Sequence, residues 1–113
     1  MKSLRNSVQL IGRLGKDPEF VELKSGKKVA RFSLATNESY RNQKGEKIEE
    51  TQWHNVVAWE NKAVFASDYL KKGMEIALEG KLIHRDYELS TGEKRYVSEI
   101  NLNDVVMVGS KAE

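Results

Sequence analysis

Cysteine is absent from this chain, proline occurs once, and tryptophan and histidine occur twice each. The lack of cysteine excludes a disulfide framework, a cysteine-ligated zinc site and a thiol nucleophile. No apolar run approaches the ~18 residues that a membrane-spanning helix needs. The first ten residues contain no apolar stretch typical of a signal peptide. The sequence therefore predicts a soluble, cytoplasmic protein, and its length predicts a single domain.

Familiar catalytic and metal-binding motifs are also missing. Gly15-Lys16 and Gly26-Lys27 lack the upstream glycine of a phosphate-binding P-loop. His54 and His84 are too far apart in sequence for a local zinc motif, and no Gly-x-Ser-x-Gly nucleophile elbow occurs. The carboxylates are scattered singly along the chain. We therefore expect neither an enzyme nor a bound metal or cofactor.

The charged residues are present in nearly balanced numbers, but they are unevenly distributed. Residues 1–47 carry 11 Lys and Arg against 5 Asp and Glu, a balance of +6. Residues 48–113 carry 8 against 12, a balance of −4, and the two halves sum to the net charge of +2. Folding could gather the basic residues onto one face, as in proteins that bind polyanions, or leave them as an ordinary solvated surface.

Alternating apolar and polar residues predict mostly strands, with a single helix. The predicted long strands are Val8–Leu14, Val29–Tyr40, Thr51–Trp59, Met74–Leu82 and Tyr96–Val108, and a short one covers Phe20–Leu23. The helix is predicted at Asn61–Lys72, with Asn61 as its N-cap and Gly73 as its terminator.

This order of elements predicts the fold. Gly80 lies within a strand pattern and indicates a bulge or a sharp bend of the kind that closed barrels require. Three long strands, a helix and two long strands then indicate an all-β, five-stranded Greek-key OB-fold barrel with one short α-helix between strands 3 and 4. We assign residues 1–108 to this domain and residues 109–113 to a short C-terminal tail.

Aromatic side chains on two of the strands indicate a partner with flat faces. Trp53 and Trp59 are six residues apart, so a regular strand presents both on one side. Tyr40 borders a polar loop on the preceding strand. Rings on a half-polar strand are suited to stacking on unpaired bases of any sequence. The core is expected to take the aromatic rings in apolar surroundings, which are Phe20, Phe32, Phe65 and Tyr69.

Basic residues complete the predicted surface. Arginine can bind a phosphate through two hydrogen bonds and can also stack on a base. The cations that we expect to contact phosphates are Arg31, Arg41, Lys62, Lys72, Arg85 and Arg95. Arg13 and Lys28 are weaker candidates.

Five segments, in the same order, resemble the bacterial single-stranded DNA-binding proteins. They are Asn6–Glu19, Ala35–Tyr40, Thr51–Val57, Tyr69–Gly73 and Leu78–Leu82. The resemblance covers nearly the whole chain, from about Asn6 to Met107. It implies a homotetramer of barrels that wraps unpaired DNA at the nucleoid during DNA replication, repair and recombination. It also implies a place for His54 at the subunit interface and base stacking at Tyr40, Trp53, Trp59 and Tyr87.

The chain departs from the usual family pattern at several positions. Tyr40 and Tyr87 stand where tryptophan is common, and Trp59 stands where phenylalanine is common, so the rings are kept. Asp86 stands where a basic residue is frequent. Typical members continue into a Gly/Pro/Gln-rich linker with an acidic tip that recruits repair proteins. Because this sequence ends at Glu113, we do not carry that recruitment over.

Two other functions remain open at this point. One is an RNA-binding or replication-restart protein with the same barrel. The other is a metal-dependent nuclease on a small barrel, which would need a cluster of carboxylates on one face.

Overall fold

The computed structural model describes residues 4–108, except for the side chain of Tyr87. The predicted tail, residues 109–113, lies outside this range. Six strands and one helix follow one another along the chain. They are β1 (Val8–Leu14), β2 (Glu19–Glu22), β3 (Lys28–Arg41), β4 (Lys47–Trp59), α1 (Asn61–Tyr69), β5 (Glu75–Glu88) and β6 (Lys94–Met107).

The five long strands close into a barrel. The strand order is β1-β5-β6-β4-β3-β2, and an additional pairing of β1 with β3 joins the two sides of the ring. The strand β2 pairs with β3 and lies outside the ring. Among the strands within residues 4–108, only β4 and β6 run parallel to each other. The predicted OB-fold barrel is therefore confirmed, with α1 between its third and fourth strands.

Two glycines allow neighbouring strands to approach where the barrel bends. A Cβ atom on Gly12 would clash with the carbonyl oxygen of Ala35, beside the pairing of β1 with β3. A Cβ atom on Gly80 would clash with the carbonyl oxygen of Asn101, and the register of β5 and β6 shifts immediately before Gly80. The predicted irregularity at Gly80 is therefore confirmed, and both positions need a residue without a side chain.

Two hairpins extend beyond the barrel. The β3–β4 register continues without interruption to the pair Arg41 and Lys47, and the β5–β6 register continues to Glu88 and Lys94. By contrast, β4 and β6 pair only over Asn55–Val57 and Glu99–Asn101. The four strands of these hairpins are longer than predicted, because their polar arms keep their ladder hydrogen bonds after the apolar pattern has ended, whereas β1 has the predicted bounds.

The core is apolar. Among the described residues, no polar or charged side chain is buried, and Leu34, Leu70 and Ile76 are fully buried. Burial of each such side chain stabilises the fold by about 1.5–3 kcal/mol. The helix contributes Ala63 and Ala66, which are also fully buried. The one helix within residues 4–108 is not long and apolar enough to cross a membrane.

The helix is shorter than predicted. It ends at Tyr69, and its N-cap is Glu60 without a side-chain cap bond, so the predictions of Lys72 as the last residue and of Asn61 as the cap were wrong. After Tyr69, backbone amides bond to β1 and to the turn that follows it, and these bonds take the place of further helical hydrogen bonds. The Lys72 amide donates to Asp17 Oδ1 at 2.7 Å, and the Gly73 amide donates to the Leu14 carbonyl at 2.9 Å.

The predicted core rings are only partly correct. Phe32 is buried, and Phe65 packs half-buried against the core. Phe20 and Tyr69 are 40% and 56% exposed, so their assignment to the core was wrong. Phe20 lies on β2, outside the ring, and Tyr69 is the last helical residue, where the chain turns away.

Candidate nucleic-acid interface

The central residues of the predicted site lie together on one outer face of the barrel. Residues paired directly across neighbouring strands lie on the same face of a sheet. The register pairs Ala35 with Trp53 between β3 and β4, and Asn55 with Glu99 between β4 and β6. Side-chain contacts described below add the β5 residue Arg85. We call this surface the groove face and define it by Arg31, Ser33, Trp53, Asn55, Arg85 and Glu99.

Trp53 is an exposed ring that is supported on one side. It is 61% exposed although it lies in the middle of β4. A Cβ atom on Gly15 would lie 2.6 Å from Cζ3 of the indole, so the ring rests directly against the glycine backbone. This contact supports the ring from one side while most of its surface faces solvent. Such a ring can stack on a base with little loss of conformational freedom.

A cleft of about 340 Å³ lies on the groove face. Its floor includes the buried side chain of Val57, and its walls carry Lys16, Arg31, Asn55 and Glu99. The cleft therefore combines an apolar base with donors, acceptors and charges of both signs. A site of this composition can hold a planar ring while polar groups contact its edge or its phosphate.

A single carboxylate joins two of the predicted phosphate-binding arginines. Arg31 Nη1 donates to Glu99 Oε2 at 3.0 Å, and Arg85 Nε lies 3.1 Å from Glu99 Oε1. The Glu99 side chain is 12% exposed, whereas those of the two arginines are about half exposed, at 50% and 49%. Because arginine carries five N–H donors, each guanidinium retains others that a ligand can use.

The other predicted stacking residues are Tyr40, Trp59 and Tyr87. The uninterrupted β3–β4 register keeps Trp59 on the Trp53 side of β4, where it is half-buried. Tyr40 is 51% exposed and pairs with Ile48. Tyr40 is an odd number of residues from Ala35, which pairs with Trp53, so it lies on the opposite side of the hairpin from Trp53. The backbone of Tyr87 pairs with that of Arg95, but its side chain lies outside the described residues.

The other predicted cations lie away from the centre of the groove face. Arg41 is at the end of the β3–β4 hairpin, where Nη1 donates to the Gly45 carbonyl at 2.8 Å. Lys62 is exposed on α1. Lys72 is exposed after α1, and its backbone is bonded to Asp17, which lines the cleft.

The remaining predicted cations are Arg95 and the two weaker candidates, Arg13 and Lys28. Arg13 Nη1 donates to the Gly73 carbonyl at 2.9 Å, and its Nη2 lies 3.8 Å from Glu75. Lys28 is half-buried at the start of β3, and Arg95 is exposed on β6. The structure thus brings together Arg31 and Arg85 through their shared contact with Glu99.

His54 has a partner within its own chain. Its Nε2 lies 2.9 Å from Thr36 Oγ1, and the residue is half-buried opposite Leu34 in the β3–β4 register. This side of β4 faces inward, away from the groove face. A place for His54 at a subunit interface remains a prediction.

Sequence reasoning did not identify Gly15 and Glu99 as site residues. A glycine before a turn and an acid within a strand are common surface features. The contact between Gly15, just after β1, and Trp53 on β4 joins distant parts of the chain, and the contacts of Glu99 with Arg31 and Arg85 join different strands. No local signal could have revealed either set of contacts.

Comparison with known proteins identifies the family of this chain. Residues 5–108 match the Single-strand binding protein family. The chain belongs to this family. It is 45% identical over 107 residues to single-stranded DNA-binding protein 1 of Chlorobaculum tepidum, a match that covers 94% of this chain and 66% of the relative. It is 40% identical over 108 residues to the single-stranded DNA-binding protein of Neisseria meningitidis serogroup A, covering 96% and 62%.

A solved structure gives the same assignment. The barrel resembles that of the Plasmodium falciparum SSB in its complex with ssDNA, with a TM-score of 0.85 and 36% identity, covering 96% of this chain and 98% of the other. This likeness extends over nearly the whole chain, whereas the chain spans slightly less than two thirds of the length of the curated relatives.

Proposed function

We propose that this chain binds single-stranded DNA without strong sequence preference. The observation that carries the proposal is Trp53, a largely exposed indole held against Gly15 beside a cleft that contains basic side chains. Membership of the Single-strand binding protein family and the likeness to a protein solved with ssDNA support the choice of ligand.

Binding takes place by stacking and by phosphate contacts. Unpaired bases of any sequence expose a flat face, and a stacked aromatic ring stabilises each by about 1–3 kcal/mol. The stacking residues of the proposal are Tyr40, Trp53, Trp59 and Tyr87. The phosphate contacts come from Arg31 and Arg85 at the centre, with Arg41, Lys62, Lys72 and Arg95 along the path of the strand. No step of this mechanism requires turnover.

The proposed cellular role follows from this chemistry. A protein that covers the faces of unpaired bases keeps strands from re-pairing and from nucleases. The chain would act in this way at the nucleoid of the cytoplasm, during DNA replication, repair and recombination.

The proposed assembly is a homotetramer. Its support is an apolar stripe on the outer face of β1, β5 and β6, defined by Ile11, Ala77 and Val106, which pair with one another across the strands. Ile11 and Val106 are each 61% exposed. A second copy of the chain would bury these side chains. His54, half-buried on the inner side of β4, lies outside the stripe and is a separate proposed subunit contact.

A titration distinguishes the candidate functions. Oligomers of dT, rU and duplex DNA are added to the chain while tryptophan fluorescence is followed, with and without Mg²⁺. We expect strong quenching by dT and no cleavage. A preference for rU would instead favour the RNA-binding or replication-restart alternative.

Cleavage that depends on Mg²⁺ would favour the nuclease alternative. That activity needs several carboxylates on one metal, and within residues 4–108 no three His, Asp or Glu side chains are gathered in such a group. The family assignment describes binding proteins, and it supports the first candidate.

A further inference from the structure

We propose that Glu99 is an internal counterion of the groove face, which occupies Arg31 and Arg85 in the free protein and competes with incoming phosphates. This inference rests on the proposed binding of single-stranded DNA. It assigns Glu99 a role in setting the affinity and the salt dependence of binding.

A single carboxylate forms ion pairs with two arginines. Each carboxylate oxygen of Glu99 contacts a different guanidinium, Arg31 at 3.0 Å and Arg85 at 3.1 Å. Arg31 approaches from β3 and Arg85 from β5, and the two strands between them are β4 and β6, of which β6 carries Glu99. Neither contact involves two parallel hydrogen bonds, the arrangement in which arginine binds a carboxylate most strongly.

The two arginines can change partners more easily than Glu99 can leave. Their side chains are about half exposed, and salt bridges in such positions contribute little to stability. The Glu99 side chain is 12% exposed and lines the cleft. A phosphate that reaches either guanidinium therefore meets a carboxylate that stays close by, and the two negative charges repel each other.

The charge balance gives this repulsion a measurable consequence. Two arginines and one glutamate carry a net charge of +1 instead of +2. The groove face therefore neutralises one fewer phosphate than its arginines alone would, so that bound DNA releases one fewer of its condensed cations. For single strands each phosphate contact contributes about 0.7 to the slope of log affinity against log salt.

The test is the variant Glu99→Gln, which keeps the size of the side chain and removes its charge. Binding of a fluorescent dT oligomer is measured over a series of NaCl concentrations, together with the melting temperature. We expect E99Q to bind about fivefold more tightly at low salt and its slope to be steeper by about 0.7. Should E99Q melt below the assay temperature, Glu99→Thr removes the same charge with a residue that suits a strand.

Two controls separate the proposed role from a general effect of charge. Asp68→Asn makes the same change of charge on the exposed face of α1, outside the groove face, and we expect it to leave the slope unchanged. In the Arg31→Gln/Arg85→Gln background, the gain from E99Q should shrink to that of the Asp68 control, because Glu99 then has no arginines to occupy.

The outcomes are distinguishable. If the wild-type chain binds dT but E99Q binds equally or more weakly, Glu99 orients the arginines and the counterion role is overturned. A gain that persists without the two arginines would overturn it as well. If the wild-type chain fails to bind dT, the proposed function itself is wrong, and this inference falls with it.

Discussion

The groove face and the apolar stripe are two exposed surfaces of one barrel with the same degree of exposure and different surroundings. Trp53 on the first, and Ile11 and Val106 on the second, are each 61% exposed. Trp53 lies beside Gly15 and a cleft that contains Arg31 and Asn55. The two aliphatic residues flank Ala77. The neighbours of these exposed side chains match the partners that we propose, a charged strand for the groove face and another protein surface for the apolar stripe.

The largest expected effect is on the apolar stripe. The double variant Ile11→Asp/Val106→Asp should destabilise each interface by about 3–6 kcal/mol, because apolar burial is lost and a charge would have to be desolvated. Light scattering should then report a smaller assembly than for the wild-type chain. The variant Gln43→Asp adds a charge at an exposed residue of the β3–β4 turn, outside the stripe, and is the control. An unchanged mass for the double variant would show that the stripe is not an interface.

A smaller effect is expected on the groove face. Trp53→Ala should weaken binding of dT by about 1–3 kcal/mol, whereas Trp53→Phe keeps a ring and should lose less. Trp59→Ala should weaken binding by a similar amount and, because this ring is half-buried, should also lower the melting temperature. The mass of the assembly should not change for Trp53→Ala. If this variant binds normally, the central stacking residue has been misassigned.

The smallest expected effect concerns the support of the indole. A methyl group on Gly15 would meet the Trp53 ring at 2.6 Å, so Gly15→Ala must displace the ring. We expect a loss of about 1 kcal/mol in binding, the lower end of the value for one stacked base. In the Trp53→Ala background the same change should have no effect on binding. A loss that is equal in both backgrounds would mean that Gly15 acts independently of the ring.

The sequence predicted the barrel well because its signals are local. Period-two patterns mark strands, and Gly80 marks the irregular position on β5, which the register shift confirms. The end of the helix was not predictable, since it depends on hydrogen bonds from Lys72 and Gly73 to Asp17 and Leu14, more than fifty residues earlier in the chain.

The candidate site was predicted less completely for a related reason. The separation of Trp53 and Trp59 is even, and a single regular strand is enough to place them on one side. The side on which Tyr40 lies depends on the register across the hairpin, which pairs it with Ile48. The contacts of Glu99 with Arg31 and Arg85 form only when β3, β5 and β6 come together in the barrel.

The short parallel contact between β4 and β6 has a mechanical consequence. In the described part of the chain it covers only three residue pairs, so the distal arms of the two hairpins are each braced by their own partner strand alone. Each arm is a two-stranded ribbon, which we expect to bend more easily than the closed body of the barrel. A polymer whose curvature varies along its length could then be gripped without any rearrangement of the core.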